Sequence, residues 1–414
     1  EELLEEFCRE IPAEMSPYLH IGADEIRIPN GKQFADRMAA KVKSLGRQPI
    51  QWAGNNDLPV SGDSYAQLWN DENSVGLPDP ARQKNPYFDS TAGYVNSFDP
   101  GILVRRNFFR QPCGTARGNN HSLGVIQCLW PDTRVENKKN IPVQSPQWPA
   151  MFAMAERSWK GIPEDGSRFA GSLPEKNTEA YQAFSLFEKR MEALAGSRPF
   201  PYWRDSFVEW TVFGPVPQDR QEEVRNNLLA GKSPAGLSSI QTRGGNLYFR
   251  TRAGAEGLFS KTKPGNTVWA ETTFHSPVEG TMHAMVGFDA PARSTRRCSG
   301  VPAAGEWSQC GTRIWVNGKE MKNPQTYKLA GQRRYEKHTW NSPAKEFWWA
   351  RPPVPFQVKA GENRILIEQP YTGEFQSWGV SFIPVKKAGD RWIADPSYYA
   401  KPRREKQDDV SPVP

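Results

Sequence analysis

Short apolar runs alternate with helical repeats along the first 195 residues of the chain. The runs that are typical of strands cover residues 18–22, 49–52, 65–69, 93–97 and 123–130. Between and after them, residues 33–45 and 148–159 carry apolar side chains at helical spacing. Repeated strand–loop–helix units predict a parallel α/β sheet, either open or closed into a barrel.

The pattern changes after about residue 197, where helical repeats nearly stop. One short helical candidate remains at 221–230, and the rest reads as short strands separated by Gly, Pro and Asn turns. Asn317-Gly318 predicts a two-residue hairpin, because both residues tolerate a positive φ. The expected order is an α/β unit over 1–195, a packing segment over 196–230, an antiparallel β-sandwich over 231–392 and a polar tail over 393–414.

Composition narrows the class of partner. Lys and Arg exceed Asp and Glu by 53 to 46, and the resulting charge of +7 is spread thinly over 414 residues, so we expect no nucleic-acid binding. The 15 Trp favour carbohydrate, since indole faces stack on the apolar faces of sugar rings. No apolar run approaches the roughly 18 residues that cross a bilayer, so we expect no membrane span in this chain.

The cysteines give no metal motif. None of the five forms a C-x-x-C pair, and no Gly-rich nucleotide loop occurs, so the sequence predicts neither a metal nor a cofactor. Cys298 and Cys310 flank a loop rich in Gly, Pro and Ser. A disulfide between them and two free thiols are both consistent with the sequence.

Residues able to do chemistry lie where the predicted strands end. Two carboxylates, Asp24 and Glu25, follow the first strand, and aromatic residues close the later ones. In a (β/α)₈ barrel this carboxyl-end face carries the active site. The aromatic residues are Trp52, Trp69, Tyr94 and Trp130.

These motifs resemble glycoside hydrolase family 20, the β-N-acetylhexosaminidases. The family's His-x-Gly-Gly-Asp-Glu hallmark on the fourth barrel strand reads His20-Ile-Gly-Ala-Asp-Glu25 here, with Ala23 at one Gly. The resemblance covers about residues 1–165 and continues in order through the fifth to eighth strands. The matching motifs are Gln51-Trp52, Gln67-Leu-Trp69, Tyr94-Val-Asn96 and Gly124-Val-Ile-Gln-Cys-Leu-Trp-Pro-Asp132, with 153–159 as the closing helix.

The resemblance implies a fold as well. We expect the C-terminal part of a (β/α)₈ TIM barrel, strands four to eight, followed by a galactose-binding-like jelly roll. The first three strands, with the family's substrate-gripping arginine, are expected upstream, in the same precursor or on another chain. The resemblance also implies an extracytoplasmic location, periplasmic or secreted.

The implied reaction removes terminal β-linked GlcNAc or GalNAc from glycans by substrate-assisted catalysis. Glu25 is expected to be the general acid, Asp24 to bind the acetamido N–H of the sugar, and Tyr94 to hold the acetamido carbonyl. Further substrate contacts are expected from Trp52, Trp69 and Trp130 as indole walls, from Asn96 and Asp132 at the outer hydroxyls, and from His20 as a support behind the carboxylates.

Some positions depart from the family pattern. Asn96 stands where many members have Asp, and Asp132 where Glu is commoner, so the preferred sugar is left open. These departures also leave a second hypothesis open, namely that the protein is a non-catalytic glycan-binding protein with the same fold. In the sandwich, Trp315, Trp348, Trp349 and Trp378 are either a sugar-stacking surface or core.

Overall fold

Five short strands form one parallel sheet at the start of the fold. They are β1 (Tyr18–His20), β2 (Gln48–Gly54), β3 (Tyr65–Asn70), β4 (Tyr87–Asp89) and β5 (Ser122–Val125). The strands pair in chain order, β1-β2-β3-β4-β5, and every pairing is parallel. Their carboxyl ends therefore lie along one edge, as the alternation of strand and helix patterns predicts.

The structure is a computed structural model. It describes residues 1–70, 78–91, 95, 99–130, 134–135, 139, 141, 147–196, 200–250, 257–288, 301–327, 341–342, 347–373 and 378–400. Four of the predicted strands are found at or near their expected positions. Most of the fifth, 93–97, lies outside the described residues, and β4 is a strand that the apolar pattern did not predict.

Six helices are described in this chain. They are α1 (Glu2–Glu10), α2 (Gly31–Ser44), α3 (Pro100–Phe109), α4 (Gln147–Lys160), α5 (Glu179–Leu194) and α6 (Gln221–Leu229). α3 begins at a proline after Asp99, whose carboxylate accepts hydrogen bonds from the N–H groups of Gly101 and Ile102, an arrangement typical of a helix start. Nearly every residue of α3 is buried, so it lacks the amphipathic repeat by which a helix is usually recognised.

The second half of the chain forms two antiparallel sheets. The remaining strands are β6 (Arg134–Val135), β7 (Glu209–Val216), β8 (Ser239–Arg243), β9 (Asn246–Arg250), β10 (Thr267–Ser276), β11 (Gly280–Gly287), β12 (Arg313–Val316), β13 (Lys319–Met321), β14 (Asn341–Ser342), β15 (Val354–Val358), β16 (Gly361–Pro370), β17 (Trp378–Ala388) and β18 (Arg391–Ala394). One antiparallel sheet has the order β13-β12-β16-β10-β7-β8 and the other β15-β11-β17-β18, with β9 paired to β17. A separate short pair joins β6 to β14.

The two antiparallel sheets share one hydrophobic core. Trp210 and Ile367 from the first sheet and Phe249, Phe356 and Phe382 from the second belong to the same buried cluster. Face-to-face packing of this kind defines a β-sandwich. The Asn317-Gly318 hairpin joins β12 to β13 with both residues at positive φ, which confirms that prediction. β7, within the segment expected to be a linker, is an inner strand of the first sheet.

The sandwich tryptophans belong to the interior. Trp315, Trp348, Trp349 and Trp378 are each exposed by only 3–4%. A buried indole offers no face to a sugar, so the hypothesis of a sugar-stacking surface built from these four residues is wrong. They pack within the second half of the chain, and the Trp348 indole also donates a hydrogen bond to Asp99 of the first half.

Helix α3 joins the parallel sheet to the sandwich through buried polar contacts. The Arg105 guanidinium donates to the Asp205 carboxylate at 2.8 Å and to the Asn246 carbonyl of β9 at 2.8 Å. Both charged side chains are fully buried. Since removing one partner of a buried ion pair leaves the other charge uncompensated, this contact ties the two halves to one geometry.

A second buried contact lies at the start of α3. The Asp99 carboxylate accepts a hydrogen bond from the Trp348 indole at 2.8 Å and another from the Tyr248 hydroxyl, both from the sandwich. Burial raises the pKa of the Asp99 carboxyl, and the hydrogen bonds from Tyr248 and Trp348 oppose that shift. The start of α3 is thus held by side chains of the second half.

Glu188 of α5 is a third buried carboxyl at this junction. It accepts hydrogen bonds from the Tyr202 hydroxyl and from the N–H groups of Asp205, at 2.9 Å, and Ser206, at 3.2 Å. Burial, with a smaller effect from the nearby Asp205 charge, raises the pKa of Glu188 to about 7. The folded protein therefore holds this proton more tightly than the unfolded chain does.

We expect the stability of the protein to fall as the pH rises from about 4.5, the ordinary pKa of Glu188, to about 7, its folded pKa. Below this window the protonated carboxyl contributes its full stabilisation, and above it the contribution is lost. The melting temperature, measured across the window, should fall less steeply in Glu188→Gln. Glu179→Gln, at an exposed position of α5, is the matched control, and an unchanged slope in Glu188→Gln would contradict this account.

Candidate active site

A left-handed turn ends β1 and exposes the two candidate carboxylates. Gly22, Ala23 and Glu25 have φ values of 70°, 82° and 49°. The Ile21 N–H donates to Ile50 at 2.9 Å, and the Trp52 N–H donates to Gly22 at 3.1 Å, so the turn stays paired to β2. The chain then leaves the sheet, and Asp24 and Glu25 are both exposed at its carboxyl edge.

Ala23 adopts a backbone conformation that favours glycine. At a φ of 82° its Cβ crowds the backbone, which costs an L-residue about 1–2 kcal/mol. The family 20 motif that this segment resembles has glycine at this position. Backbone strain of this kind is concentrated at functional sites, where the surrounding contacts maintain it.

The His20, Trp52 and Trp130 rings form a row beside the turn. The His20 and Trp52 centroids are 4.9 Å apart, and the Trp52 and Trp130 centroids are 6.1 Å apart. Trp130 is 42% exposed and Trp52 is half-buried. Two expected walls of the site are therefore neighbours, and part of their indole surface is open to a ligand.

His20 has polar neighbours on the side of the sheet. Its Nδ1 accepts the Gly22 N–H at 3.0 Å. Gln67, which is buried, donates to the Ser90 hydroxyl at 2.9 Å. Desolvation lowers the pKa of His20, while the Gln67 side chain and the Asp24 charge act in the opposite direction. The lowered pKa favours the neutral imidazole, which fits a supporting role.

Asp57, which sequence reasoning missed, connects two of the expected site residues. Its Oδ1 accepts the Glu25 backbone N–H at 2.9 Å, and its Oδ2 accepts the Trp69 indole N–H at 2.6 Å. Gly54 makes this approach possible, because a Cβ there would lie 2.7 Å from the Trp69 Nε1. Asp57 follows Asn55-Asn56 in a loop and belongs to no recognisable motif, so only the fold reveals its position.

The structure brings together six of the nine expected site residues. His20, Trp52 and Trp130 form one group, Asp24 lies close enough to His20 to act on its charge, and Glu25 and Trp69 meet through Asp57. Tyr94, Asn96 and Asp132 lie outside the described residues, so their roles stay predictions.

Two other kinds of site, a metal centre and a surface cleft, have less support in the described residues. Within the described ranges, no three His, Cys, Asp or Glu side chains are grouped as metal ligands. A cleft of about 500 Å³ lies between α5, β17 and β18. Its three cationic side chains are already ion-paired, which leaves it no charge for a ligand. Those pairs are Lys176–Glu209, Arg204–Glu192 and Lys386–Asp395.

The cysteines are divided between two states. Cys8, Cys113 and Cys128 are free thiols, and Cys310 is disulfide-bonded. Cys298, one of the two residues for which the sequence left a disulfide or free thiols open, lies outside the described residues. Separately, none of the helices that the structure describes is both long and apolar enough to cross a bilayer.

Comparison with known proteins gives weak likenesses only. No protein-family model matches the chain, and no curated protein matches it. A β-glucosidase from Kluyveromyces marxianus in complex with glucose is 10% identical, with a TM-score of 0.22, over 44% of this chain and 16% of its own length. A family 35 carbohydrate-binding module from Clostridium thermocellum is 16% identical, with a TM-score of 0.16, over 28% of this chain and 76% of its own.

An Arthrobacter globiformis T6 isomalto-dextranase complexed with panose is 9% identical, with a TM-score of 0.18, over 91% of this chain and 71% of its own. The two enzymes act on carbohydrates, and the module binds them, but these TM-scores are too low to define the fold or function of this chain.

We expect Ala23→Gly to stabilise the protein by about 0.5–1 kcal/mol, because glycine adopts a φ of 82° without strain. Denaturant unfolding measures the change. Ala40→Gly, at an exposed position inside α2, is the matched control and should destabilise by about 1 kcal/mol. Equal losses in the two variants would show that the turn at Ala23 is unstrained.

Proposed function

We propose that this chain is part of a glycoside hydrolase that removes terminal β-linked N-acetylhexosamine, GlcNAc or GalNAc. The main observation behind this proposal is the turn at the end of β1. It presents Asp24 and Glu25 beside a row of partly exposed aromatic rings. The order of the strand-end motifs, which resembles family 20, supports the same conclusion. The five parallel strands, paired in chain order, fit strands four to eight of a barrel.

In the proposed reaction the substrate's own acetamido group is the nucleophile. Glu25 donates its proton to the glycosidic oxygen as the bond from that oxygen to the anomeric carbon breaks. The acetamido oxygen bonds to the anomeric carbon and forms a cyclic oxazolinium ion. Water then attacks the anomeric carbon, the bond from that carbon to the acetamido oxygen breaks, and the water gives a proton to the Glu25 carboxylate. The sugar therefore leaves with its β configuration retained and its acetamido group restored.

The neighbouring residues would orient the acetamido group. Asp24, as a carboxylate, accepts the acetamido N–H and balances the positive charge of the oxazolinium ion. Tyr94 is proposed to hold the carbonyl from the other side. Trp52 and Trp130 offer indole surface to the methyl group and the apolar ring face, which removes water from the reacting atoms.

The surface around β1 supports the proposal of a further barrel segment. Among the described residues β1 pairs only with β2. Large apolar side chains near this edge are exposed: Leu3, Phe7, Met15, Tyr18, Ile26, Ile28 and Phe34. We propose that the upstream barrel strands, from the same precursor or another chain, cover this surface. An extracytoplasmic location is proposed with it, and the disulfide at Cys310 is compatible with an oxidising compartment.

A non-catalytic glycan-binding protein is the second candidate. One observation favours it, the methyl group that Ala23 adds beside the carboxylate pair at a strained position. On this hypothesis the fold binds an N-acetylhexosamine without cleaving the glycosidic bond. The two candidates share the site and differ only in turnover.

The test uses the full-length protein and the 4-nitrophenyl β-glycosides of GlcNAc and GalNAc. We expect release of nitrophenol by the wild type. On the methyl β-glycoside of GlcNAc, whose unactivated leaving group needs the proton, we expect kcat/KM to be at least 100-fold lower in Glu25→Gln, because a general acid contributes about 10²–10⁴-fold. Glu14→Gln, at an exposed position before β1, is the matched control and should keep wild-type activity.

Full activity in Glu25→Gln would refute the assignment of the acid. No release by the wild type, together with tight binding of an oxazoline mimic, would favour the non-catalytic alternative.

A further inference from the structure

We propose that Asp57 is a positioning residue for the acid step, an inference that rests on the proposed function of the site. One carboxylate accepts hydrogen bonds from two expected site residues, the Glu25 main chain at 2.9 Å and the Trp69 indole at 2.6 Å. The three groups come from three neighbouring strand ends, those of β1, β2 and β3. Asp57 therefore sets the position of the acid relative to an indole wall.

The Glu25 backbone needs such a partner. Its φ of 49° is one that residues other than glycine rarely adopt, and its side chain is exposed. A hydrogen bond from its N–H to a carboxylate is a charge-assisted bond, stronger than one to a neutral acceptor. Loss of that bond would free the peptide of Glu25 to relax, and the carboxyl group would move with it.

The Trp69 ring depends on the same carboxylate for its orientation. The indole has only one hydrogen-bond donor, and here that donor points at Asp57 Oδ2. Gly54 leaves the space for the ring, since a Cβ would lie 2.7 Å from Nε1 and 3.0 Å from the Asp57 Oδ2. The absence of a side chain at 54 and the carboxylate at 57 together fix the plane of one wall.

The fold does not depend on the Asp57 side chain in the same way. The loop holds to the β1 turn through the Leu58 N–H, which donates to the Ala23 carbonyl at 2.9 Å, and to its own strand through the Asp57 N–H, which donates to Gly54 at 3.2 Å. Leu58 is buried and anchors the loop end. Removing the carboxylate should therefore release Glu25 and Trp69 while the loops stay together.

A misplaced acid has a recognisable kinetic consequence. A poor leaving group needs the proton from Glu25 as the glycosidic bond breaks, whereas a dinitrophenolate leaves without that proton. Loss of Asp57 should therefore lower kcat/KM, which reports the steps up to departure of the leaving group, most for a substrate with an alkyl or sugar leaving group. A merely structural defect would lower the activity on both substrates by the same factor.

The experiment compares Asp57→Ala and the milder Asp57→Asn with the wild type in the full-length protein. Asp63→Ala is the matched control, because Asp63 is exposed in the same β2–β3 connection and its carboxylate makes no hydrogen bond among the described residues. Two readouts are taken. The first is kcat and KM on the methyl and 2,4-dinitrophenyl β-glycosides of GlcNAc, and the second is the NMR resonance of the Trp69 indole N–H, assigned with Trp69→Phe.

We expect kcat/KM, which reports the steps up to departure of the leaving group, to fall on the order of 10- to 100-fold on the methyl glycoside in Asp57→Ala and less in Asp57→Asn, with a much smaller fall on the dinitrophenyl glycoside. The indole resonance should move in both variants and stay in place in Asp63→Ala. An unmoved resonance, or equal losses on the two substrates, would overturn the proposal. A wild type that cleaves neither substrate would refute the proposed function instead, and the indole resonance would still decide whether Asp57 holds Trp69.

Discussion

The left-handed turn after β1 is the constraint on which the candidate site depends. Successive residues of a strand point to opposite faces, so Asp24 and Glu25 could not share a face if β1 continued through them. Positive φ values at Gly22, Ala23 and Glu25 end the strand and place both carboxylates at the edge of the sheet. The loop after β2 then fastens to this turn through main-chain bonds and through the Asp57 carboxylate.

The β-sandwich contributes to this arrangement as a support. Trp315, Trp348, Trp349 and Trp378 are buried in it. The Trp348 and Tyr248 side chains bind Asp99 at the start of α3, and the Asn246 carbonyl accepts a hydrogen bond from Arg105 within the helix. The start of the buried helix α3 is therefore held by side chains of the sandwich.

Much of the parallel sheet could be predicted from the sequence, because β1, β2, β3 and β5 coincide with apolar runs. β4 could not, since it is short and ends in Asp89, a buried carboxylate that pairs with Arg110 and interrupts the apolar pattern. Helix α3 was missed because it is buried on all sides and shows no amphipathic repeat. Tryptophan content alone could not separate core from binding surface, and Trp315, Trp348, Trp349 and Trp378 are core.

The residues of the candidate site could also be predicted from the sequence only in part. The Asp24-Glu25 pair and the strand-end tryptophans are visible in the sequence as motifs in order. Asp57 is not, because a loop aspartate has no pattern, and its two partners come from strands far from it in the chain. Only the pairing of three strand ends brings the carboxylate to both donors.

The configuration of the first sugar released tests the central claim most directly. The full-length protein is mixed with the 4-nitrophenyl β-glycoside of GlcNAc, and the anomeric protons are followed by NMR before the product equilibrates. Attack by the acetamido group predicts that the β anomer appears first. Initial release of the α anomer would contradict the participation of the acetamido group, and no release of N-acetylhexosamine would contradict the hydrolase itself.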